Sequence, residues 1–460
     1  MGTAKISGCV IAELEEALRI GDLRRSSQCI LALRNTRRDL YPALLGSSSH
    51  LRTLFVEQVI AFSYADDEAW SSLGRKNHLM MPGRIRETPL GEIANRLADL
   101  IRFAAADCRL ENDRHVAVVV RKALERLMPP EQLRFHASAA CFVAGIVRDE
   151  RAVSKRLGLL FEAMSHHSAL NTVDLTLAAL HHIGLSAATP EGRAAVRLAR
   201  LSQSGPNHPY HGPQHTREVL INAVMLAGRN NELAVQQPSA GIPYLSQTEM
   251  IIQILAALGH DLLHDGASNL VRGKDGTIRR HPYRLERIAA DQTRRILEDE
   301  GVCQSATDKV VILILSTDPT GAHLAVREAM AFHAGRHVSG DAIGSRTGGV
   351  LGSPSSSSYG EPEMNALFQD SRLSHQAAIM SDADLFSSAG ISVRYHVLQT
   401  TRLGHETARQ MDRRSSLYFI DEILHGSFVT PAGCRFNQVV GDIRAFAMDS
   451  DAPYPEAWLV

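Results

Sequence analysis

The sequence lacks the features that mark a disulfide-stabilised or membrane-spanning protein. Its 460 residues include six cysteines, and none of them forms a CxxC pair. Scattered cysteines of this kind predict reduced thiols in a cytoplasmic protein rather than a disulfide framework or a zinc–thiolate site. The sequence has no run of 18 apolar residues and no secretory pattern at its start. We therefore expect neither a membrane span nor a membrane partner.

An excess of charge of one sign is also missing. Lys plus Arg total 49 and Asp plus Glu total 50, which leaves a net charge of −1. A broad basic face, the electrostatic footprint of a nucleic-acid binder, is therefore not expected. Hydrophobic residues make up 44% and charged residues 22% of the chain. These fractions are normal for a globular protein with a sizeable core.

Strand-like alternation bounded by Asn-Gly or Asp-Gly turns is not found, whereas apolar residues recur at three- and four-residue spacing. Stretches such as LGEIANRLADLIRFAAADCRL and HVAVVVRKALERLMPPEQL, which stops at Pro129-Pro130, predict successive helices up to about residue 200. The predicted class is all-α. We expect a helical N-terminal domain over 1–195, of unknown role and a candidate for homo-oligomerisation, and a second helical domain over 196–460.

One segment interrupts the second domain, SGDAIGSRTGGVLGSPSSSSYGEPE, at about residues 339–363. It is rich in Gly, Ser and Pro, and a segment of this composition cannot form a packed core. It is therefore predicted to be a flexible insertion between two helices. Two interpretations stay open, a disordered surface loop and a lid over a functional site.

Histidines recur at a spacing of four residues at 211/215, 260/264 and 333/337. Because the chain has 21 histidines, about one such pair is expected by chance, and the spacing alone says little. The pair 260/264 follows the apolar stretch MIIQILAALG and contains Asp261. This arrangement predicts a buried His-Asp pair at the end of a helix, with His264 one turn later on the same face.

A carboxylate in an apolar helix must be paired or bound to a metal. Neutral imidazole and carboxylate are natural ligands of divalent cations, so a metal site would satisfy such a pair. A site of this type also needs a carboxylate from another helix. The stretch SHQAAIMSDADLFSSAG, residues 374–390, offers Asp382 and Asp384. From the residues alone, a helix cap, a solvated aspartate and a metal ligand all remain open.

Taken in order, these segments resemble the catalytic domain of 3′,5′-cyclic-nucleotide phosphodiesterases, within the HD superfamily of metal-dependent phosphohydrolases. YHGPQH (210–215) stands where that family has Tyr-His-Asn-x-x-His, and HDLLHDGASN (260–269) keeps every named position of His-Asp-x-x-His-x-Gly-x-Ser-Asn. LSQTE, ILSTDPTGAH and DADLFSS match further family segments, and the resemblance spans about residues 200–410. It implies an HD-type multi-helix fold for the second domain.

The resemblance also implies a metal site with two divalent cations, zinc together with magnesium or manganese. The residues that match ligands of the first metal are His215, His260, Asp261 and Asp384. Asp261 would also bridge to the second metal, and Asp318 would lie behind that metal. A water between the cations would be the nucleophile of hydrolysis.

The resemblance gives catalytic roles to three further residues. His211 would be the general acid that protonates the leaving oxygen, Glu406 would orient it, and His264 would lie beside the bridging water. His208, in the same stretch as His211, is interpreted as a bystander.

The chain departs from the family pattern at Gly212, where the family has asparagine. The glutamine that grips a purine ring is not placed by the sequence. Gln438 is a candidate for it, and Phe436 is either a base-stacking residue or a core aromatic.

The predicted function is a metal-dependent phosphodiesterase that acts on a small-molecule nucleotide, with a 3′,5′-cyclic nucleotide as the candidate substrate. One alternative is an HD-type nucleotide phosphohydrolase that cleaves monoesters. The other alternative is a regulatory protein that binds a nucleotide without hydrolysing it.

Overall fold

A computed structural model describes residues 128–143, 149–166, 170–267, 269–272, 277–335, 362–448 and 454–455, with isolated positions before residue 128. The chain divides into two compact units, Met1–Leu170 and Asn171–Val460. The predicted boundary after residue 195 falls inside the helix Pro190–Gln203, and the domain roles stay predictions. The predicted insertion at 339–363 lies outside the described residues except for its last two positions.

Two complete helices are described in unit 1, α1 (Pro130–Val143) and α2 (Glu150–His166). The prediction that a helix stops at Pro129-Pro130 is confirmed, because residues 128 and 129 are not helical and Pro130 begins α1. Proline is tolerated in a first helical turn because the backbone N–H that it lacks would have no partner there. Helix α2 buries Val153, Leu157 and Phe161, which are four residues apart and therefore share one face.

The described part of unit 2 is mainly helical. Its α-helices are α3 (Thr172–His182), α4 (Pro190–Gln203), α5 (Pro213–Gln236), α6 (Gln247–Gly259), α7 (Arg284–Asp299), α8 (Gln304–Leu315), α9 (Ala322–His333), α10 (Ser371–Ala389), α11 (Val393–Thr407), α12 (Arg413–Tyr418), α13 (Pro431–Cys434) and α14 (Asn437–Met448). Short 3-10 helices cover Pro238–Ala240 and Pro362–Phe368, and a π-helical turn covers Phe419–Ile423. The predicted all-α class is confirmed. Among the described helices, none is both long and apolar enough to cross a bilayer.

One antiparallel hairpin departs from the expectation of a chain without strand pairs. Strand β1 (Leu270–Arg272) pairs with β2 (Ile278–Arg280), and Val271 lies opposite Arg279. The sequence between the strands contains Asp275-Gly276, a hairpin signal that the sequence analysis overlooked. Two strands of three residues leave the all-α class intact, and they directly follow the HDLLHDGASN segment.

Helix α6 lies at the centre of the core of unit 2. It begins at a capping box in which the side chains of Ser246 and Glu249 each accept from the other residue's backbone N–H. Every residue from Glu249 to Gly259 is buried, and the helix packs against α4, α5, α8 and α10. Helix α10 is buried along most of its length and packs against α5. Polar side chains on these two helices therefore face protein rather than solvent.

Close packing fixes Gly259, the last residue of α6. A Cβ there would lie 2.4 Å from Thr293 Oγ1 and 3.2 Å from Ile314 Cδ1. Thr293 is fully buried and cannot withdraw.

We expect Gly259→Ala to lower the free energy of unfolding by about 1–3 kcal/mol, measured by urea denaturation. Gly228→Ala is the control, because a Cβ there meets nothing within 4 Å. Equal effects of the two substitutions would contradict the close packing.

Three buried histidines couple the stability of unit 2 to pH. Burial lowers the pKa of His375 and of His396 to about 4, and that of His323 to about 3. In the unfolded chain the histidine pKa is about 6.5. The unfolded state therefore binds more protons in the window between these values. The part of the free energy of unfolding that depends on these histidines being neutral is fully present above pH 6.5. It is lost as the pH falls towards their pKa values in the folded protein.

We expect the urea midpoint of the protein to fall steadily from about pH 6.5 to about pH 4. His375 Nε2 lies 2.6 Å from Asn230 Oδ1, and glutamine can replace this donor. His375→Gln should therefore reduce the slope of stability against pH, because one group that gains a proton on unfolding is removed. The exposed His281 provides the control, His281→Gln. A slope that His375→Gln leaves unchanged would show that this residue does not contribute.

Candidate metal centre

Three helices of unit 2 bring the predicted metal ligands to one place. His215 lies in the first turn of α5, His260 and Asp261 directly follow α6, and Asp384 lies in α10. Both histidines are almost fully buried, and His260 is the C-terminal cap of the buried helix α6. The prediction of a His-Asp pair at the end of a buried helix is confirmed.

The potential ligand atoms of His215, His260 and Asp384 all lie within 4.8 Å of one another. His215 Nε2 is 3.0 Å from Asp384 Oδ1, and His260 Nε2 is 3.5 Å from the same atom. Asp261 Oδ2 is 3.2 Å from His260 Nε2 and 3.6 Å from His215 Nε2. Within the described residues, the ion pairs of Asp261 and Asp384 are all with histidine. No lysine or arginine of this part of the chain pairs with either carboxylate.

The backbone holds His260 in the form of a metal ligand. Its Nδ1 lies 2.9 Å from the carbonyl oxygen of Ala257, so Nδ1 donates to that oxygen. In the neutral ring, Nε2 then presents its lone pair to the cluster. His260 Nε2 and Asp261 Oδ2 are both buried and make no hydrogen bond to any described residue. A histidine that donates to a backbone carbonyl with one nitrogen commonly binds a metal with the other.

The electrostatics of the cluster also fit a cation. Burial alone would lower the pKa of His260, but Asp261 and Asp384 raise it to about 9. Burial alone would raise the pKa of Asp261, but His260, His211 and His215 hold it well below its usual range. Asp261 thus stays ionised and attracts positive charge. A divalent cation would supply that charge and would displace protons from histidines that bind it.

His264 does not share a helical face with His260, and that prediction is wrong. Helix α6 ends at Gly259, and Leu263 has a φ of 65°, in the left-handed region that a right-handed helix cannot contain. His264 Nδ1 accepts a hydrogen bond of 3.1 Å from the backbone N–H of Gly266. A nitrogen that accepts carries no hydrogen, so the proton of the neutral ring is on Nε2. His264 is therefore a hydrogen-bond donor at its Nε2. His260, in contrast, offers a lone pair at its own Nε2.

An acid–base pair lies beside the cluster. His211 Nδ1 is 2.6 Å from Glu406 Oε1, and Glu406 Oε2 accepts from the backbone N–H groups of Tyr210 and His211. Burial alone would lower the pKa of His211, but Asp261 and Glu406 raise it above its usual value. Glu406 fixes the hydrogen on Nδ1, so Nε2 is the atom that can give up a proton. The His211 ring stacks on His264 at 4.0 Å between centroids.

The loop before α5 is held against the turn after α6. His208 Nε2 donates to the carbonyl oxygen of His264 at 3.1 Å, and its ring occupies the place where a Cβ on Gly266 would lie. His208 therefore has a structural contact, and its interpretation as a bystander to the chemistry stays a prediction. A Cβ on Gly212 would lie 2.6 Å from the carbonyl oxygen of His208. This backbone contact explains why glycine, and not asparagine, stands between His211 and Pro213.

Two aspartates singled out in the sequence lie outside the cluster. Asp382 is fully buried and accepts from the backbone N–H groups of Val429 and Thr430. It therefore anchors the segment before α13, which accounts for its charge without a metal. Asp318 is also fully buried and accepts from Arg280 of the hairpin at 2.9 Å and from the backbone N–H of Tyr283 at 3.1 Å.

The two candidates for base recognition have different surroundings. Phe436 is 1% exposed and packs edge-on against Phe386. Its interpretation as a core aromatic is confirmed, and it cannot stack on a ligand in this position. Gln438 is exposed in the first turn of α14, and its role stays a prediction.

The sequence analysis missed a carboxyl group at the edge of the centre. Burial, followed by the charge of Asp318 and then of Asp261, raises the pKa of Glu286 to about 7. Asn269 donates to Glu286 at 3.0 Å, and its side-chain oxygen accepts from the backbone N–H of Leu285 at the start of α7. Glu286 lies among alternating charges in RLERIAADQTRR, which look like an exposed helical face.

A second missed group lies behind His215. Glu218 is fully buried and accepts from the Tyr395 hydroxyl at 2.5 Å, from Gln399 Nε2 at 2.7 Å and from Gln214 Nε2 at 2.8 Å. These bonds join α5, which carries His215, to α11, which carries Glu406. The only sequence signal is that Glu218 follows His215 by three residues, which places both on one side of α5.

We expect Glu218→Leu to lower the free energy of unfolding by about 3 kcal/mol, because it removes the acceptor of the buried Tyr395 hydroxyl and of the buried Gln399 amide. Glu218→Gln keeps one oxygen acceptor and should cost less. Urea denaturation measures both effects. Glu298→Leu, on the exposed side of α7, is the surface control. Glu218→Leu as mild as this control would mean that the buried hydrogen bonds contribute little.

Comparisons with known proteins add no relative. No protein-family model matches the chain, and no curated protein is similar enough to count as a match.

Proposed function

We propose that unit 2 is a metal-dependent phosphodiesterase of the HD type, with a 3′,5′-cyclic nucleotide as its candidate substrate. The observation that carries this proposal is the convergence of His215, His260, Asp261 and Asp384 beside the ion pair between His211 and Glu406. The motif HDLLHDGASN supports the same assignment through its resemblance to the HD family.

The residues fit the cations that the resemblance implies. His260 offers a buried lone pair, and Asp261 offers a buried oxygen without a hydrogen-bond partner among the described residues. His215 and Asp384 complete a set of imidazole and carboxylate ligands that suits zinc, and magnesium or manganese prefers the carboxylates. When bound, divalent cations neutralise an anionic phosphoester and lower the pKa of water.

The protein's own residues supply the proton chemistry. Hydrolysis joins the oxygen of a water molecule to phosphorus and breaks the bond between phosphorus and the leaving oxygen. The leaving oxygen takes a proton from His211 Nε2, and the proton lost by the water restores His211 through solvent. Glu406 keeps the other ring nitrogen protonated and stabilises the charged ring. His264 donates from Nε2 and so can hold an oxygen of the phosphate or of the water.

The pair of His211 and Glu406 favours an enzyme over a regulatory module that only binds a nucleotide. A general acid needs one ring nitrogen held by a carboxylate and the other free to give up a proton, and His211 meets both conditions. A phosphomonoesterase would use the same groups. The substrate panel below distinguishes it from a phosphodiesterase.

Metal analysis together with an activity panel tests the proposal. We expect the purified protein to hold divalent metal and to hydrolyse a phosphodiester from a panel of cyclic AMP, cyclic GMP, cyclic dinucleotides, mononucleotides and bis(p-nitrophenyl) phosphate. His260→Ala and Asp261→Ala should lose bound metal and activity together. Glu406→Gln should keep the metal and lose about 100-fold or more in kcat, as expected for a disturbed general acid.

His281→Ala, at an exposed position, controls for the removal of a histidine, and circular dichroism confirms that each variant is folded. A metal-loaded protein that cleaves no phosphoester would rule out an enzyme of this type. Cleavage of mononucleotides alone would indicate a monoesterase.

A further inference from the structure

A pocket of about 260 Å³ opens beside the candidate centre. One wall is the C-terminal end of α4 with Leu201 and Ser204, and another is the turn after α6 with Leu263. His211, Asp261 and His264 line it on the side of the metal cluster. The volume is close to the lower end of the roughly 300–1,000 Å³ typical of ligand pockets. It suits one ring system or one nucleoside rather than a dinucleotide.

The pocket is poorly suited to a second anion. Its lining contains no lysine or arginine. In the segment that follows His264, Arg284 pairs with Asp265 and Arg280 pairs with Asp318. The C-terminal end of α4 also presents its last backbone carbonyls, which carry partial negative charge. An anionic group is therefore disfavoured in the pocket and is favoured only at the metal cluster.

Two polar side chains in the lining have hydrogen-bonding capacity to spare. Thr216 is only 5% exposed, lines the pocket, and its hydroxyl bonds to no residue in the described part of the chain. Gln292 of α7 also lines the pocket, and its amide likewise lacks a partner among the described residues. Because both groups can donate and accept, they suit the polar edge of an uncharged ligand.

Apolar side chains form the rest of the opening. Leu263 is 56% exposed and Leu201 is 39% exposed, and both line the pocket. The left-handed backbone of Leu263 is unfavourable for a branched side chain. Strain of this kind persists where the surrounding structure enforces it, and it is concentrated at binding and catalytic sites.

We propose, on the basis of the phosphodiesterase function above, that this pocket binds the leaving alcohol of the substrate. The proton donor His211 is part of its lining, so the group attached to the leaving oxygen extends into this space. That group is uncharged and of nucleoside size, its apolar part lies against Leu201 and Leu263, and its polar edge bonds to Thr216 and Gln292. For a cyclic nucleotide, the leaving alcohol belongs to the single nucleoside of the substrate.

Steady-state kinetics of the metal-loaded protein test the assignment, with bis(p-nitrophenyl) phosphate and cyclic AMP as substrates. Ser204 is exposed and bonds only to carbonyls of its own helix, so Ser204→Trp can fill the pocket without disturbing the core. We expect it to raise KM about tenfold or more for both substrates, with metal content unchanged. Ser239→Trp, at an exposed serine outside the pocket, is the matched control and should leave KM within about twofold.

Thr216→Val removes the hydroxyl at nearly constant size. We expect KM for cyclic AMP to rise about three- to tenfold, and KM for bis(p-nitrophenyl) phosphate to change less than about twofold, because a nitrophenyl ring offers a weaker polar edge. A second measurement does not depend on catalysis. Adenosine, which carries no phosphate, should bind the metal-loaded protein in a calorimetric titration, and Ser204→Trp should abolish that binding.

The outcomes separate this inference from the proposed function. A metal-loaded protein that is inactive but binds adenosine in a Ser204-sensitive manner would overturn the enzyme and keep the pocket. An active protein whose KM is unaffected by Ser204→Trp, or that fails to bind adenosine, would overturn the pocket and keep the enzyme. A preference for ATP, whose leaving group is anionic, over the diesters would also overturn the assignment of the pocket to an uncharged leaving alcohol.

Discussion

Burial of negative charge is the constraint on which the rest of unit 2 depends. The side chains of Asp261, Asp384 and Glu406 are only 16%, 15% and 2% exposed. A carboxylate in such surroundings is stable only when an opposite charge and hydrogen-bond donors accompany it. Here each of the three carboxylates lies against at least one imidazole. The helices that carry these residues must therefore meet at one point. The buried hydrogen bonds of Glu218 hold α5 and α11 together there.

The backbone assigns different chemistry to histidines of the same type. His260 and His264 are four residues apart, yet one donates to a carbonyl oxygen and the other accepts from an N–H. The first ring therefore offers a lone pair towards the carboxylates, and the second offers a proton. His211 is a third case, because a carboxylate holds its Nδ1 hydrogen and leaves its Nε2 able to donate. Three different hydrogen-bonding states thus arise from one residue type through three kinds of hydrogen-bond partner.

The structural features that depend on periodicity and local spacing could be predicted from the sequence. The buried course of α6 and of α10, the His-Asp pair and the set of residues around it follow from apolar runs and short motifs. The end of α6 was not predictable, because it depends on the left-handed Leu263, a residue that seldom adopts this conformation. The hydrogen bond between Glu218 and Gln399 joins residues 181 positions apart, and no local pattern in the sequence indicates it. The lining of the pocket likewise comes from four separate segments, which only the packing of helices brings together.

The early end of α6 has a consequence for how this protein balances stability against function. Continuing the helix through Leu263 would relieve an unfavourable backbone conformation and add helical hydrogen bonds. The backbone N–H of Gly266 would then point to a carbonyl one turn earlier and could no longer donate to the ring of His264. Helix α6 is therefore shorter than the energetics of its own backbone would favour. An engineering strategy that rewards thermostability alone would lengthen it, and the resulting protein would be better folded while one of its histidines had lost its defined tautomer.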